Sequence, residues 1–167
     1  MKIKKLKFKN FASYGNSATE INFDEYSLNL LSGDNGSGKS SVLYCILFAL
    51  TGKSVANRTL DSLVNRRNKN LETVIEIENN NSHYKIIRNI KPTKLVVYKD
   101  DILIEETNKL SLQRYINENI LNNISFTMLQ NLLFINVSSY TSLFIMSNSE
   151  RMKFFFDLFC NLFSSSS

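Results

Sequence analysis

Three of the five glycines of the chain fall within six residues, and this cluster constrains the fold more than any other feature of the sequence. The segment from Gly33 to Ser40 reads G-D-N-G-S-G-K-S and matches the pattern G-x-x-x-x-G-K-[ST] at every fixed position. Glycine lets the backbone curl until its N–H groups point inward and surround an anion. The pattern therefore predicts a phosphate-binding loop.

The residues around this loop supply the elements that it requires. Residues 28–31 form a short apolar run, for which we expect a buried central strand. Residues 40–50 are apolar on almost every side, which is typical of a buried helix. We expect Lys39 to reach the β- and γ-phosphates of ATP and Ser40 to bind Mg²⁺. The candidate nucleotide contacts are Gly33, Asn35, Gly36, Ser37, Gly38, Lys39, Ser40 and Ser41.

Alternating apolar and polar residues predict strands in the rest of the first two thirds of the chain, and helical spacing follows them. The predicted hairpins join residues 3–8 to 19–23, 73–77 to 84–90, and 95–98 to 102–104. The predicted helices span residues 59–64, 110–121, 126–134 and 149–163. Residues 164–167 are four serines, which indicate a polar tail.

Composition favours one globular domain in a reducing compartment. The chain has 167 residues, of which 43% are hydrophobic and 21% charged, and it has only two cysteines, far apart in sequence. Residues 119–149 carry no charge and are long enough to cross a bilayer. Their asparagine and glutamine side chains favour a buried segment instead, so we expect a cytoplasmic protein without a membrane partner.

Several segments resemble the SMC, SbcC and RecN branch of the ABC-type ATPases. Residues 35–41 resemble the N-G-x-G-K-S-[ST] form of the phosphate loop, and residues 10–15, which include Tyr14, resemble the N-F-x-S start of these proteins. Residues 47–53, 84–88 and 150–153 are similar to further family segments, and residues 125–144 look most like the ATPase subunits of phage recombination endonucleases. The resemblance covers roughly residues 1–163.

This resemblance implies an α/β fold of the P-loop NTPase class. It implies an ABC-ATPase-like head lobe with a mixed sheet and an antiparallel β subdomain, spanning residues 1–163 ahead of the tail at 164–167. In the family, a C-terminal lobe supplies the signature motif and the catalytic glutamate, and two heads enclose ATP between them. The implied partners are ATP, Mg²⁺, double-stranded DNA, a nuclease subunit and a second copy of the head. The implied function is that of the ATP-binding subunit, ATP-hydrolysing with a C-terminal lobe, of a DNA double-strand-break repair or recombination nuclease complex.

The sequence departs from the family at the catalytic motifs. No apolar strand ends in the Asp-Glu pair of a Walker B motif, and no L-S-G-G signature occurs. The acidic pairs Asp100-Asp101 and Glu105-Glu106 lie in or beside a predicted hairpin, where we interpret them as turn charges. The catalytic residues are therefore not assigned. The alternatives are a truncated, catalytically incompetent nucleotide-binding or interaction module, and a different P-loop enzyme such as a nucleotide kinase.

Three positions keep more than one interpretation. The glutamine that touches Mg²⁺ in the family falls on Gln130 or on Asn131, with Gln130 favoured by its chemistry, or on neither. Many family members have an arginine that contacts the nucleotide phosphate where this chain has Ala12. The basic loop of Arg66, Arg67 and Lys69 can face DNA phosphates or only solvent.

Overall fold

One antiparallel sheet and the helices packed on it make up the fold. The computed structural model describes residues 1–26, 28–55, 59–133, 147–149, 151–152 and 155–156. The strands are β1 (Lys2–Lys9), β2 (Thr19–Asn22), β3 (Leu71–Asn79), β4 (Ser82–Ile90), β5 (Lys94–Lys99) and β6 (Ile102–Leu103). The helices are α1 (Lys39–Thr51), α2 (Lys109–Asn119) and α3 (Phe126–Leu133), with a 3₁₀ turn at Leu60–Leu63.

The sheet has the order β2-β1-β3-β4-β5-β6, and each pair of neighbours is antiparallel. Alternate residues of β3 are buried, as the period of two predicts, and Ile75 and Ile77 oppose Ile86 and Tyr84 of β4. This buried face packs against α1, and α2 packs against β5. The predicted antiparallel hairpins are therefore confirmed.

Two tight turns show why the hairpins were readable from sequence. Asn80 and Asn81 link β3 to β4 with φ values of 48° and 61°, and Asp100 and Asp101 link β5 to β6 with φ values of 50° and 64°. Asparagine and aspartate tolerate this left-handed conformation better than most residues, and it matches the twist of the strands. The interpretation of Asp100-Asp101 as turn charges is confirmed.

Helix α1 is the central element of the core. Val42, Cys45 and all residues from 46 to 50 are buried, as the apolar sequence predicts. Gly52 ends the helix in the left-handed conformation, with φ 68°, and its N–H donates to the carbonyl of Phe48 at 2.8 Å. Burial raises the pKa of the Cys45 thiol, so this cysteine is a packing residue and not a reactive one.

The predicted central strand at residues 28–31 is wrong. Leu28 and Leu30 are 85% and 88% exposed, and the segment pairs with no strand in the described part of the chain. An extended apolar segment becomes a strand only when a neighbour completes its hydrogen bonds, and local sequence does not supply that neighbour. The parallel pairing of a mixed sheet likewise does not occur among the described strands.

The structure describes only some of the residues for which the sequence predicts helices. The helices at 110–121 and 126–134 are confirmed as α2 and α3, and the short helix at 59–64 is a 3₁₀ turn. Most of the uncharged stretch after α3, most of the terminal helix and the serine tail lie outside the described residues. Within the described ranges, none of the helices has the length and apolar character needed to cross a membrane.

Candidate functional site

The glycine loop adopts the curled backbone that its sequence predicts. Gly33, Gly36 and Gly38 have φ values of 153°, 82° and 96°, in a region that side chains other than glycine rarely enter. The N–H of Ser37 donates to the carbonyl of Asp34 at 3.1 Å, which closes the turn. The N–H of Ser41 donates to the carbonyl of Gly38 at 2.9 Å, and α1 begins there. The loop therefore places the N-terminus of α1 directly after three glycines with positive φ, an arrangement that favours phosphate binding.

Lys39 lies folded into this loop. Its Nζ donates to the carbonyl of Gly33 and to the carbonyl of Asp34, each at 2.7 Å. A lysine ammonium has three N–H donors, so one remains for a ligand while the other two hold the charge in place. The loop thus holds a positive charge, the ammonium of Lys39, next to the place where the sequence predicts phosphate.

The hydroxyl groups at the start of α1 are available to a ligand. Ser40 is exposed and Ser41 is partly buried, and neither Oγ makes a hydrogen bond to another described residue. Within the described ranges, no group of three or more histidine, cysteine, aspartate or glutamate side chains is placed to hold a metal ion. A cation at this site would therefore depend on hydroxyl and amide side chains such as Ser40 and the predicted Gln130, on phosphate oxygens and on water, as Mg²⁺ commonly does.

Gln130 lies on α3, which packs against α1, and its side chain is half-buried. No contact among the described residues joins it to the glycine loop. Asn131 follows it on the same helix, and its side chain is outside the described part. The choice between these two residues as the magnesium ligand stays a prediction.

The segment from Asn10 to Tyr14 packs against the glycine loop at Gly38. Asn10 is fully buried, and its Nδ2 donates to Oδ1 of Asn70 at 2.8 Å and to Oδ1 of Asn16 at 3.1 Å. The ring of Tyr14 lies so close to Gly38 that a Cβ atom there would stand 2.9 Å from Cε2. This close approach explains why a glycine is needed at position 38 in addition to its φ. Sequence reasoning found the segment but missed the contact of Tyr14 with the loop.

Arg88 supports the other end of the loop helix, and sequence reasoning assigned it no role. Its Nε donates to the carbonyl of Ala49 at 3.0 Å, and its Nη2 donates to Oε1 of Gln113 at 2.6 Å. Burial lowers the pKa of Arg88 to about 10, so the guanidinium stays charged at neutral pH. A cation at a helix C-terminus is stabilised by the helix dipole. Two signals were available in the sequence: the similarity of residues 84–88 to a family segment, and the alternation of Tyr84, Ile86 and Arg88, which places the arginine on the face of β4 that packs on the core.

The lysines of β1 are paired with carboxylates. Lys4 contacts Asp24 at 2.9 Å and Glu78 at 2.6 Å, and Lys5 contacts Glu20 at 2.6 Å. These contacts raise the pKa of the lysines and lower the pKa of the carboxyl groups. The basic residues of β1 therefore do not present a free cationic stripe to a nucleic acid.

The profile of the AAA domain family matches residues 5–161, which is most of the chain and includes the whole glycine loop. The chain belongs to this AAA domain family. The match begins within β1 and runs past α3, so it includes the other five strands, the glycine loop and all three helices.

Two phage proteins named exonuclease subunit 2 are similar to this AAA domain over nearly all of its length. The protein of Enterobacteria phage T4 is 28% identical and that of Escherichia phage RB69 is 26% identical, each over 160 residues and 94% of this chain. The aligned part is 28% of each phage protein, so the chain spans less than a third of these relatives. A Rad50 ATPase for DNA double-strand break repair from Methanocaldococcus jannaschii is 35% identical over 88 residues, which is 53% of this chain and 8% of that protein. The resemblance to SMC-like and phage recombination ATPases is confirmed.

Solved structures show the same fold. A chain from a study of ATP-driven dimerization and DNA-stimulated activation of SMC ATPases aligns with a TM-score of 0.65 at 23% identity, covering 95% of this AAA domain and 99% of that chain. The recombination mediator RecF bound to ATP aligns with a TM-score of 0.52 at 18% identity, covering 79% of this chain and 41% of that one. The predicted α/β fold of an ABC-ATPase-like head lobe is therefore confirmed.

Proposed function

We propose that residues 1–163 are the N-terminal ATP-binding lobe of the ATPase subunit of a DNA double-strand-break repair or recombination nuclease complex, ahead of a tail at 164–167. The observation that carries the proposal is the glycine loop, complete in sequence and curled around the fixed ammonium of Lys39. The similarity to phage exonuclease subunits and to Rad50 supplies the cellular context. Together with a C-terminal lobe, this lobe hydrolyses ATP.

The residues of the loop fit a nucleoside triphosphate with its Mg²⁺ ion. The backbone N–H groups of Asn35, Gly36 and Gly38 and the start of α1 hold the phosphates, and Lys39 adds its charge. Ser37, whose N–H closes the turn, keeps the loop curled around them. The hydroxyls of Ser40 and Ser41 complete the contacts, with Ser40 and Gln130 as the magnesium ligands. When bound, Mg²⁺ neutralises part of the phosphate charge.

Hydrolysis needs groups that no recognisable motif of this sequence supplies. A carboxylate that orients the attacking water and a donor from a partner stabilise the transition state in phosphoryl transfer. The sequence contains neither a Walker B motif nor a signature motif. This absence favours a second candidate function for the chain by itself, that of a nucleotide-binding or interaction module without turnover.

The relatives support the proposed partners. The names of the relatives, exonuclease subunit 2 and DNA double-strand break repair Rad50 ATPase, support a nuclease subunit and double-stranded DNA as partners of this chain. The study of SMC ATPases describes ATP-driven dimerization, which supports a second copy of the head as a partner. In this arrangement ATP holds two heads together and hydrolysis releases them.

Equilibrium binding of a fluorescent ATP analogue with Mg²⁺ tests the proposal on the 167-residue chain. We expect saturable binding that Lys39→Ala weakens by about 10- to 100-fold, because a charge-assisted contact to phosphate contributes about 1.5–3 kcal/mol. Lys69→Ala removes one positive charge from an exposed loop position and is the matched control. Equal binding by wild type and Lys39→Ala, or none by either, contradicts the proposal.

The magnesium ligand on α3 is tested separately. Gln130→Ala should weaken binding of the Mg²⁺ complex of the analogue and leave binding in EDTA unchanged, because only the metal contact is lost. Asn131→Ala, one residue further on the same helix, is the matched control. The opposite pattern assigns the ligand to Asn131.

A further inference from the structure

An open cleft with a volume of about 570 Å³ lies beside the glycine loop. It is lined by Ser13 and Gly15 and by a second segment, the arginine wall, of Asn65, Arg66 and Arg67. The volume is within the range of pockets that hold small ligands. Nothing in the assignment of the glycine loop accounts for this second concave surface.

The cleft adjoins the glycine loop through Ser13. Ser13 lines the cleft, and its Oγ stands 3.1 Å from where a Cβ of Gly38 would lie. The next residue, Tyr14, donates from its hydroxyl to the carbonyl of Gly38 at 3.4 Å. Gly38 is the N-cap residue of α1. The part of the cleft lined by Ser13 therefore adjoins the helix N-terminus, where phosphate is expected.

Asn65 fixes the backbone of the arginine wall relative to residues 10–14. Its Nδ2 donates to the carbonyls of Ala12 and Tyr14, both at 3.0 Å, and its N–H donates to the carbonyl of Asn10 at 2.8 Å. Its Oδ1 accepts from the N–H of Arg67 at 3.0 Å. The backbone of the arginine wall is therefore tied to the segment that supports the glycine loop.

The two guanidinium groups of this wall are unpaired within the described residues. Arg66 and Arg67 are exposed, and no carboxylate lines the cleft or forms an ion pair with either. The lysines of β1, by contrast, are bound to carboxylates of neighbouring strands. Adjacent guanidinium groups in a concave site without acidic residues attract a phosphate, and their planar forks bind it through paired hydrogen bonds.

We propose that Arg66 and Arg67 bind a phosphate group of the same nucleotide that the glycine loop holds. The cleft is then the second wall of one site, with Lys39 on one side of the phosphates and the two arginines on the other. Ala12 also lines the cleft, and its small side chain leaves room for the arginines to reach the ligand. This inference rests on the proposed binding of ATP and adds the residues that distinguish a polyphosphate from a nucleoside.

Calorimetric titration of the 167-residue chain with ATP, ADP and adenosine in Mg²⁺ tests this inference. The variants are Arg66→Ala, Arg67→Ala and the double variant, and the control is Lys69→Ala, which removes a cation from the same loop outside the cleft. We expect each arginine variant to weaken ATP binding about fivefold and the double variant about 25-fold, with less than about twofold for the control. Affinity for ATP should also fall less steeply with salt in the double variant.

The outcomes separate this inference from the function on which it rests. If wild type and the double variant bind ATP equally, Arg66 and Arg67 do not bind the nucleotide phosphate, whereas the proposed binding of ATP is retained. An equal loss for adenosine and ATP overturns phosphate recognition, because the arginines then contact the nucleoside. Loss of binding to a DNA duplex with unchanged ATP affinity assigns the arginines to nucleic acid and also overturns the inference. No ATP binding by wild type overturns both proposals.

Discussion

The guanidinium of Arg88 donates a 2.6 Å hydrogen bond to Oε1 of Gln113, and this bond joins β4 to α2 beneath the end of the loop helix. The same guanidinium contacts the carbonyls of Ala49 and Leu50, and Nε2 of Gln113 donates to the carbonyl of Leu50 at 3.1 Å. The helix that begins at the phosphate loop is therefore anchored at its far end by side chains from two other elements.

Arg88→Ala should lower the free energy of unfolding by roughly 2–4 kcal/mol, because it removes the donor to the carbonyl of Ala49 and to Oε1 of Gln113. Urea unfolding measures the change. Arg114→Ala, at an exposed position of α2, is the matched control and should change the free energy by less than about 0.5 kcal/mol. A similar small effect at both positions would show that the buried hydrogen bonds contribute nothing.

Gly38→Ala should weaken ATP binding and stability more than Gly36→Ala. Both positions have positive φ, but a Cβ at position 38 meets the ring of Tyr14 at 2.9 Å, whereas a Cβ at position 36 meets open space. We expect strain of about 1–3 kcal/mol at either site and an additional loss at position 38 from the contact. Thermal unfolding and nucleotide titration of both variants measure this difference.

Tyr14→Ala provides the control for that contact. Combined with Gly38→Ala, it removes the ring that the new methyl group meets, so the two effects should be less than additive. Additive effects in this double-mutant cycle would show that the ring does not constrain the loop.

Ser40→Ala should remove most of the gain in ATP affinity that Mg²⁺ provides. Its Oγ makes no hydrogen bond within the described part of the chain, so its loss should leave the fold intact. We expect about a tenfold weaker affinity in Mg²⁺ and no change in EDTA, because the metal contact alone is lost. An equal loss in both buffers would mean that the hydroxyl binds phosphate directly.

Leu28→Ser and Leu30→Ser should leave the stability of the chain unchanged within about 0.5 kcal/mol, since both side chains lie in solvent. Leu47→Ala, at a fully buried position of α1, should cost about 2–5 kcal/mol and is the contrasting control. Urea unfolding of the three variants measures both effects. A large loss at position 28 or 30 would contradict the exposed placement of this segment.

Local chemistry explains which parts of the structure could be predicted. The glycine loop, the Asn80-Asn81 turn and α1 depend on residues close in sequence, and all three were found. The strand at residues 28–31 failed because strand formation depends on a distant neighbour.

The missed parts of the site involve polar side chains in unusual surroundings. Arg88 was missed because arginine is rarely buried, and its partners are carbonyl groups that the sequence does not display. Asn65 was missed because its hydrogen bonds connect segments more than fifty residues apart. Tyr14 was recognised only as part of a family motif, and its distance from Gly38 became visible only in the fold.

The two intraloop hydrogen bonds of Lys39 have a consequence for the thermodynamics of ligand recognition. An ammonium already held by the carbonyls of Gly33 and Asp34 has lost its rotamer freedom before any ligand arrives. Arg66 and Arg67, exposed and unpaired within the described residues, still have theirs. One wall of the site is therefore preorganised, whereas the other wall becomes ordered on binding, so the entropic penalty of association falls mainly on the arginines.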